Sequence, residues 1–459
     1  MKVNARKMAL RILGQIDKDK SFSHIALNRY FEQYEMDSID RRFISYLVLG
    51  ILENKILLDF YIRKLSKLRF GKIHHEVVII LRMGLYQIEF MSKVPDSAAV
   101  DECVKLAKKI NPEQGKFVNG ILRTFIREKD KIEFPDAKRH PSTYLSILYS
   151  HPEWMVERWM DQFGISFTET LLKANNNSPD LIVRVNPLKT TKEALMRHLD
   201  EAGVVYEPSR YIKDALVIKS LNALSIDVVP GFEEGFFQVQ DESSMFVGIL
   251  SDVKEGQTVV DVCSAPGGKA THVAQLMNNT GVVYARDLHE HKLSLIMENV
   301  ERLGLDNIKV QIFDAQLFDK ALEHKADVVL VDAPCSGLGI IRRKPDIKYN
   351  KSIEELLELS ELQKQILSTS SEYVKDQGTL IYSTCTLNFE ENEAVVRWFL
   401  EHHPKFELDG DQGGHLSIVN RALLTEKGLG LLADTEMLTL YPNQHGTDGF
   451  FIAKMIKVK

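Results

Sequence analysis

Two cysteines stand out by their surroundings: Cys335 in DAPCSG (Asp332 to Gly337) and Cys385 in STCT (Ser383 to Thr386). A cysteine inside an apolar helical run is packing material, which is how Cys103 reads. Cys335 and Cys385 instead follow β-branched runs directly, in a polar Ser/Thr setting where hydrogen-bond donors can stabilise an exposed thiolate. Such a thiolate can act as a nucleophile. The four cysteines, Cys103, Cys263, Cys335 and Cys385, have no paired spacing, so neither a metal site nor a disulfide framework is expected.

A third motif, CSAPGGK, comprises Cys263, Ser264, Ala265, Pro266, Gly267, Gly268 and Lys269. Pro266 restrains the turn, and Gly267 and Gly268 allow backbone N–H groups to approach a ligand at the start of the following helix. The pattern is not G-x-G-x-x-G and no Walker lysine–serine pair follows, which argues against dinucleotides and triphosphates. Asp287 closes the next β-branched run, at the distance from the glycines where an acid meets a ribose diol. Asp314 and Asp332 close the two runs after that. A single strand-end aspartate is ordinarily a turn former or helix cap. Three in succession suit a ligand carrying a ribose, an exocyclic amine and an α-amino group, and S-adenosylmethionine carries all three.

The elements that must position these residues are strands alternating with helices. TVVDV (Thr258 to Val262), GVVYARD (Gly281 to Asp287), IKVQIFD (Ile308 to Asp314), ADVVLVD (Ala326 to Asp332) and GTLIYST (Gly378 to Thr384) predict a parallel sheet buried on both faces. MLTLY (Met437 to Tyr441) and FFIAKMIKV (Phe450 to Val458) predict an antiparallel hairpin at its edge, joined by a turn without a helix. Residues 236–459 therefore read as an α/β, Rossmann-like domain. Residues 166–235 read as a small α/β subdomain, with strands at Leu181 to Asn186 and Ala215 to Ser220 and a capped helix at Thr190 to Gly203. Residues 131–165, with Pro135, Pro141 and Pro152, read as a linker with a connecting helix.

Residues 1–130 read as an all-α bundle, with HHEVVIILRMGLYQIEFM apolar nearly all round as its central helix. This segment carries 24 Lys and Arg against 16 Asp and Glu, a net of +8, while the rest of the chain carries −14. A basic module joined to an acidic one suits docking of a polyanion, although a solvated helical surface explains the charge equally well. No uninterrupted apolar stretch suits a signal peptide or a membrane span, so a cytoplasmic location is expected. Residues 409–435 carry no readable motif.

LRMGLYQIEFMSKVPDSAAVDECVKLAKK (Leu81 to Lys109) and FVNGILRTF (Phe117 to Phe125) resemble the NusB family of RNA-binding helical domains. CSAPGGK, DAPCSG and STCT, in that order and spacing, resemble the NOL1/NOP2/Sun class of RNA 5-methylcytosine methyltransferases. Together the motifs resemble the Sun/RsmB family of ribosomal RNA small-subunit cytosine-C5 methyltransferases. That resemblance implies cofactor binding by Cys263 to Lys269, Asp287, Asp314 and Asp332, a nucleophile at Cys385 and assisted release by Cys335. It implies small-subunit ribosomal RNA as substrate and the 16S cytosine conventionally numbered 967 as target; a monomer is expected. Ser264 and Ala270 depart from the commoner alanine and threonine, without removing the proline, glycines or lysine the turn needs.

C5 of cytosine is a poor nucleophile, and thiolate attack at C6 converts the ring to an enamine able to take a methyl group. Asp332 would donate toward N3, Lys269 would hold the base or its phosphate, and Cys335 would serve removal of the C5 proton. Arg342, Arg343 and Lys344, beside the catalytic turn, read as phosphate contacts. DGFF (Asp448 to Phe451) reads either as an aromatic near the base or as core packing. Two rivals remain: a NusB-like RNA-binding factor with an inactive methyltransferase scaffold, and a nitrogen methyltransferase, which would need no cysteine.

Overall fold

A computed structural model describes residues 4–19, 21–222, 224–409 and 437–459. The motif-free stretch noted above thus lies outside the described residues, apart from its first position. The chain forms two units, Met1–Asn177 with Ile341–Asn350, and Ser178–Ile340 with Lys351–Lys459.

The first unit is helical: α1 (Ala5–Asp19), α2 (Ser23–Gln33), α3 (Ser38–Glu53), α4 (Lys55–Leu65), α5 (His75–Phe90), α6 (Asp96–Lys108), α7 (Pro112–Glu128), α8 (Pro141–Tyr149), α9 (Glu153–Phe163) and α10 (Ile165–Asn175). Starts are set by local chemistry. The Asp37 carboxylate accepts from the Asp40 amide at α3, and Asn111 caps α7 ahead of Pro112, whose missing N–H costs nothing there. As expected from its sequence, α5 is buried from Val77 through Gln87. Arg82 within that run is tolerated because Asp59 accepts from it twice, at 2.7 and 2.9 Å. Gly50 of α3 lets the Tyr86 ring lie against the helix; a Cβ there would overlap the phenol.

Ile341–Asn350 belongs to this helical unit. Ile341, Asp346, Ile347 and Lys348 are buried, and Arg342, Arg343 and Lys344 are half-buried. Lys348 Nζ donates to the carbonyl of Glu53, the last residue of α3, at 2.7 Å. A helix end leaves carbonyls without partners, and a lysine with an apolar stem can supply the donor from inside a core. Burial lowers the Lys348 pKa and raises that of Glu53, while the charge of each opposes the shift of the other.

The second unit contains two sheets. Strands β1 (Leu181–Val185), β2 (Val205–Pro208), β3 (Ala215–Ser220) and β4 (Phe237–Val239) form an antiparallel sheet in the order β2-β3-β1-β4, with α11 (Lys192–Glu201) between β1 and β2 in the chain. The remaining strands are β5 (Thr258–Asp261), β6 (Val282–Asp287), β7 (Ile308–Ile312), β8 (Ala326–Asp332), β9 (Val374–Thr384), β10 (Phe406–Leu408), β11 (Met437–Leu440) and β12 (Phe450–Lys457). They pair in the order β10-β12-β9-β8-β5-β6-β7, with β11 also on β12. From β9 to β7 the neighbours are parallel, as the β-branched runs predicted. The intervening helices are α12 (Glu242–Leu250), α13 (Gly268–Leu276), α14 (Glu290–Leu303), α15 (Ile353–Ser371) and α16 (Glu393–His402).

The expected hairpin of β11 and β12 is antiparallel, with two differences. A one-turn helix, Pro442–His445, lies between its strands. Strand β12 is also not an edge: β9 pairs along one side, and β11 and β10 share the other. Seven of its eight residues are buried, and a strand so apolar would be an aggregation hazard if exposed. Among the described residues no helix is long and apolar enough to cross a membrane.

Candidate active site

The carboxyl ends of β5, β6, β7 and β8 open onto a cavity of ≈ 370 Å³. A strand leaving a doubly wound sheet there exposes its last side chain to a shared crevice, because its helices turn away on both faces. Cys263, Ala265, Asp287, Asp314 and Asp332 line it, together with Leu288, His289, Phe313, Pro334 and Ile366. Asp287 is 7% exposed; its oxygens accept from the amides of Ala265 and His289 at 3.3 and 3.2 Å, which holds the carboxylate at the cavity wall. Asp314 lies two residues past β7 and accepts from the Gln316 amide at 2.9 Å. Ser264, Pro266, Gly267, Gly268 and Lys269 are not in the cavity wall.

Those residues instead shape the turn. Gly267 has φ +95°, a left-handed conformation open to glycine, and a Cβ there would press on Ile296 at 3.2 Å. Gly268 starts α13 with ordinary helical geometry, so only one of the two glycines is required by its φ. Arg184 of β1 anchors the same turn, donating to the Gly268 carbonyl at 3.1 Å, to the Thr271 hydroxyl at 3.4 Å and to Gln240. It is fully enclosed, and burial, then the nearby Arg302, lowers its pKa to about 9. The small subdomain, in which the sequence showed no chemistry, thus holds the start of α13. A buried Arg inside the strand run LIVRVN was the available signal.

Beside the cavity, β8 and β9 bring the two cysteine motifs together. Asp332 faces Ser383 in register, and the thiols that follow lie 3.3 Å apart, Sγ to Sγ. Both cysteines are half-buried. The Cys335 thiol is pushed well above its usual range, first by its hydrogen bond to Cys385, then by burial. Two thiols this close resist carrying two negative charges at once, which keeps a proton on Cys335. Lys269 Nζ meets Asp332 Oδ2 at 2.5 Å, and Ser383 Oγ donates to Asp332 Oδ1 at 2.9 Å. Burial opposes the charge on Lys269, but Asp332 and Asp261 outweigh it and keep the lysine protonated. Its ammonium also lies 5.2 Å from the centre of the Phe450 ring. Phe450 is buried in one core cluster and Phe451 in another, against Tyr382, so both aromatics of DGFF pack in the core.

Three residues besides Arg184 escaped the sequence reading. Asp261, at the end of β5, is fully buried beneath the Lys269–Asp332 pair, and burial, then Asp332, pushes its pKa up to about 7. Glu391 is fully buried behind both cysteine turns. Lys292, one turn into α14, lies 3.7 Å from Asp287. An acid inside the apolar TVVDV was a legible signal for Asp261; Glu391 sits among Glu390, Asn392 and Glu393 and looks like surface charge. Among the described residues no cluster of His, Cys, Asp and Glu could hold a metal ion.

Comparison with known proteins agrees with this architecture. Residues 248–456 match the family described as 16S rRNA methyltransferase RsmB/F, residues 3–127 the NusB family, and residues 151–225 the RsmF/B-like ferredoxin-like domain. The solved structure of PH0851 shares 26% identity, covers 100% of both chains and has a TM-score of 0.78. The probable ribosomal RNA small subunit methyltransferase B of Synechocystis is 34% identical over 99% of this chain and 100% of its own length. Its counterpart in Bacillus subtilis is 38% identical over 99% of both chains, and by that likeness this chain belongs to the family of ribosomal RNA small subunit methyltransferases B.

Proposed function

We propose that this chain methylates C5 of a cytosine in small-subunit ribosomal RNA, with S-adenosylmethionine as donor and Cys385 as covalent nucleophile. The observation that carries this reading is the pair of thiols 3.3 Å apart at the ends of β8 and β9, beside the Lys269–Asp332 ion pair. A nitrogen methyltransferase attacks with a substrate lone pair and has no use for two apposed thiols.

The cavity fits the cofactor. Asp287 and Asp314 offer acceptors for hydroxyls and amines, and Leu288, Phe313, Pro334 and Ile366 offer apolar walls for a purine. When bound, S-adenosylmethionine supplies an electrophilic methyl group. Cys385 forms a bond to C6 of the cytosine, and the displaced electron pair makes C5 nucleophilic. Asp332 relays a proton from the Lys269 ammonium toward N3 as charge accumulates there and carries it back when the ring is restored. Once Cys385 is bonded to carbon, the hydrogen bond to its thiolate that holds the Cys335 proton is gone. Cys335 can then release its proton to solvent and take the C5 proton, the C5–H electron pair reforming the ring double bond as the C6–S bond breaks and the Cys385 thiolate is restored. The target base must leave its stack to reach such a pocket, which favours loops or partly folded RNA. Residues 1–130, with their net charge of +8, are proposed to dock the RNA backbone.

The test separates the thiols. Cys385→Ala should abolish turnover and leave no covalent enzyme–RNA species on a denaturing gel. Cys335→Ala should transfer the methyl group and stall as a slower band that depends on Cys385. Near-normal turnover by both variants would return the nitrogen-methyltransferase reading, and cofactor binding without transfer to any RNA would support an inactive scaffold. Bisulfite sequencing of ribosomal RNA from a deletion strain tests position 967 as the target.

A further inference from the structure

Glu391 ends a one-turn helix, Phe389–Glu391, six residues after Cys385. It is fully buried, and its carboxylate meets four neutral donors. Oε2 accepts from the backbone amide of Ser336 at 2.8 Å and from Gln363 Nε2 at 3.0 Å. Oε1 accepts from the Ser336 hydroxyl and from Asn388 Nδ2 at 3.1 Å. Ser336 follows Cys335 directly, and its hydroxyl also lies 2.7 Å from that of Thr386, which follows Cys385 directly. Gln363 extends the same grip to the Pro334 carbonyl at 2.9 Å, on the other side of Cys335.

A carboxylate is costly to bury without a cation, and its persistence here calls for a reason. Four converging donors need four acceptor sites, which an ionised carboxylate has and an amide has not. We propose that Glu391 is a positioning residue whose carboxylate clamps the Cys335 turn to the Cys385 turn and thereby fixes the separation of the two thiols. Its charge also adds to the hydrogen bond with Cys385, to burial and to the charge of Cys385 in keeping the proton on Cys335, so the clamp helps to assign the nucleophile's role to Cys385. This rests on the two-thiol reading above, but the clamp can be tested without RNA.

Phenylarsine oxide condenses with two adjacent thiols: two As–S bonds form, and the oxide oxygen leaves as water with both thiol protons. The wild-type chain should take one equivalent in a manner that requires both Cys335 and Cys385. In Glu391→Gln the new amide N–H groups face two donors, and affinity for the arsenical should fall about tenfold or more, with methyl transfer falling about a hundredfold. Affinity for S-adenosylmethionine should stay within about twofold, because Glu391 is not in the wall of that cavity; a merely structural role would weaken both ligands together. If Glu391→Gln does not fold, Ser336→Ala removes one donor only and should cost about threefold in arsenical affinity. A folded variant that binds the arsenical as wild type does overturns the clamp. Weakened arsenical binding with normal methyl transfer upholds the clamp and overturns the covalent two-thiol mechanism.

Discussion

The Lys269–Asp332 pair offers a quantitative test because its two ends are unequally sheltered. The Lys269 side chain is 11% exposed and that of Asp332 28%, with Ser383 still donating to the latter. Removing one member of a buried ion pair typically costs about 3–5 kcal/mol, since the survivor is left as an uncompensated charge. Asp332→Asn leaves the more enclosed lysine and should cost about 4 kcal/mol. Lys269→Met leaves a partly hydrated carboxylate with one remaining donor and should cost about 3 kcal/mol. The double variant leaves neither charge, so its cost should fall short of the sum by about 2 kcal/mol. Hydrogen exchange of peptides covering β8 and β9, measured across a urea series, isolates this region from the helical unit. Costs that add to within about 0.5 kcal/mol would refute the inference that the two charges stabilise one another.

Two further predictions concern the other carboxylates. Asp287→Ala should weaken S-adenosylmethionine binding by about 1.5–3 kcal/mol through loss of charge-assisted hydrogen bonds, and unchanged affinity by calorimetry would remove Asp287 from the site. Asp261 has its pKa pushed from 3.8 up to about 7, chiefly by burial. The folded state therefore keeps a proton that the unfolded chain has lost, and stability falls as pH rises between those values, then levels off. Asp261→Asn should remove a fall of about 4 kcal/mol over that interval, measured by urea unfolding at several pH values. An unchanged slope would show that another group carries it.

Much of the site was legible because its chemistry is local. A proline–glycine turn, strand-end aspartates and two thiols in polar settings are each written in a few consecutive residues. Their shared place at the carboxyl ends of β5 to β9 follows from the alternation of β-branched and helical runs. The helical unit was legible for the same reason, since an α5 that is apolar all round has to be surrounded.

Other features depend on residues distant in the chain. That Ile341–Asn350 joins the helical unit rests on Lys348 reaching the Glu53 carbonyl, across 295 positions, and no local pattern distinguishes that lysine from a solvated one. That β12 lies between β9 and β10 is likewise set by pairing with residues 47 to 77 positions away, where hydrogen bonding is indifferent to side-chain identity. Arg184 bonding Gly268 and Glu391 bonding Ser336 have the same origin. The amino-acid sequence by itself determined which groups can react and the strand ends on which they stand. Only the tertiary structure decided which buried charges hold those groups in place, because a charge is affordable in a core only where distant segments bring donors and acceptors to meet it.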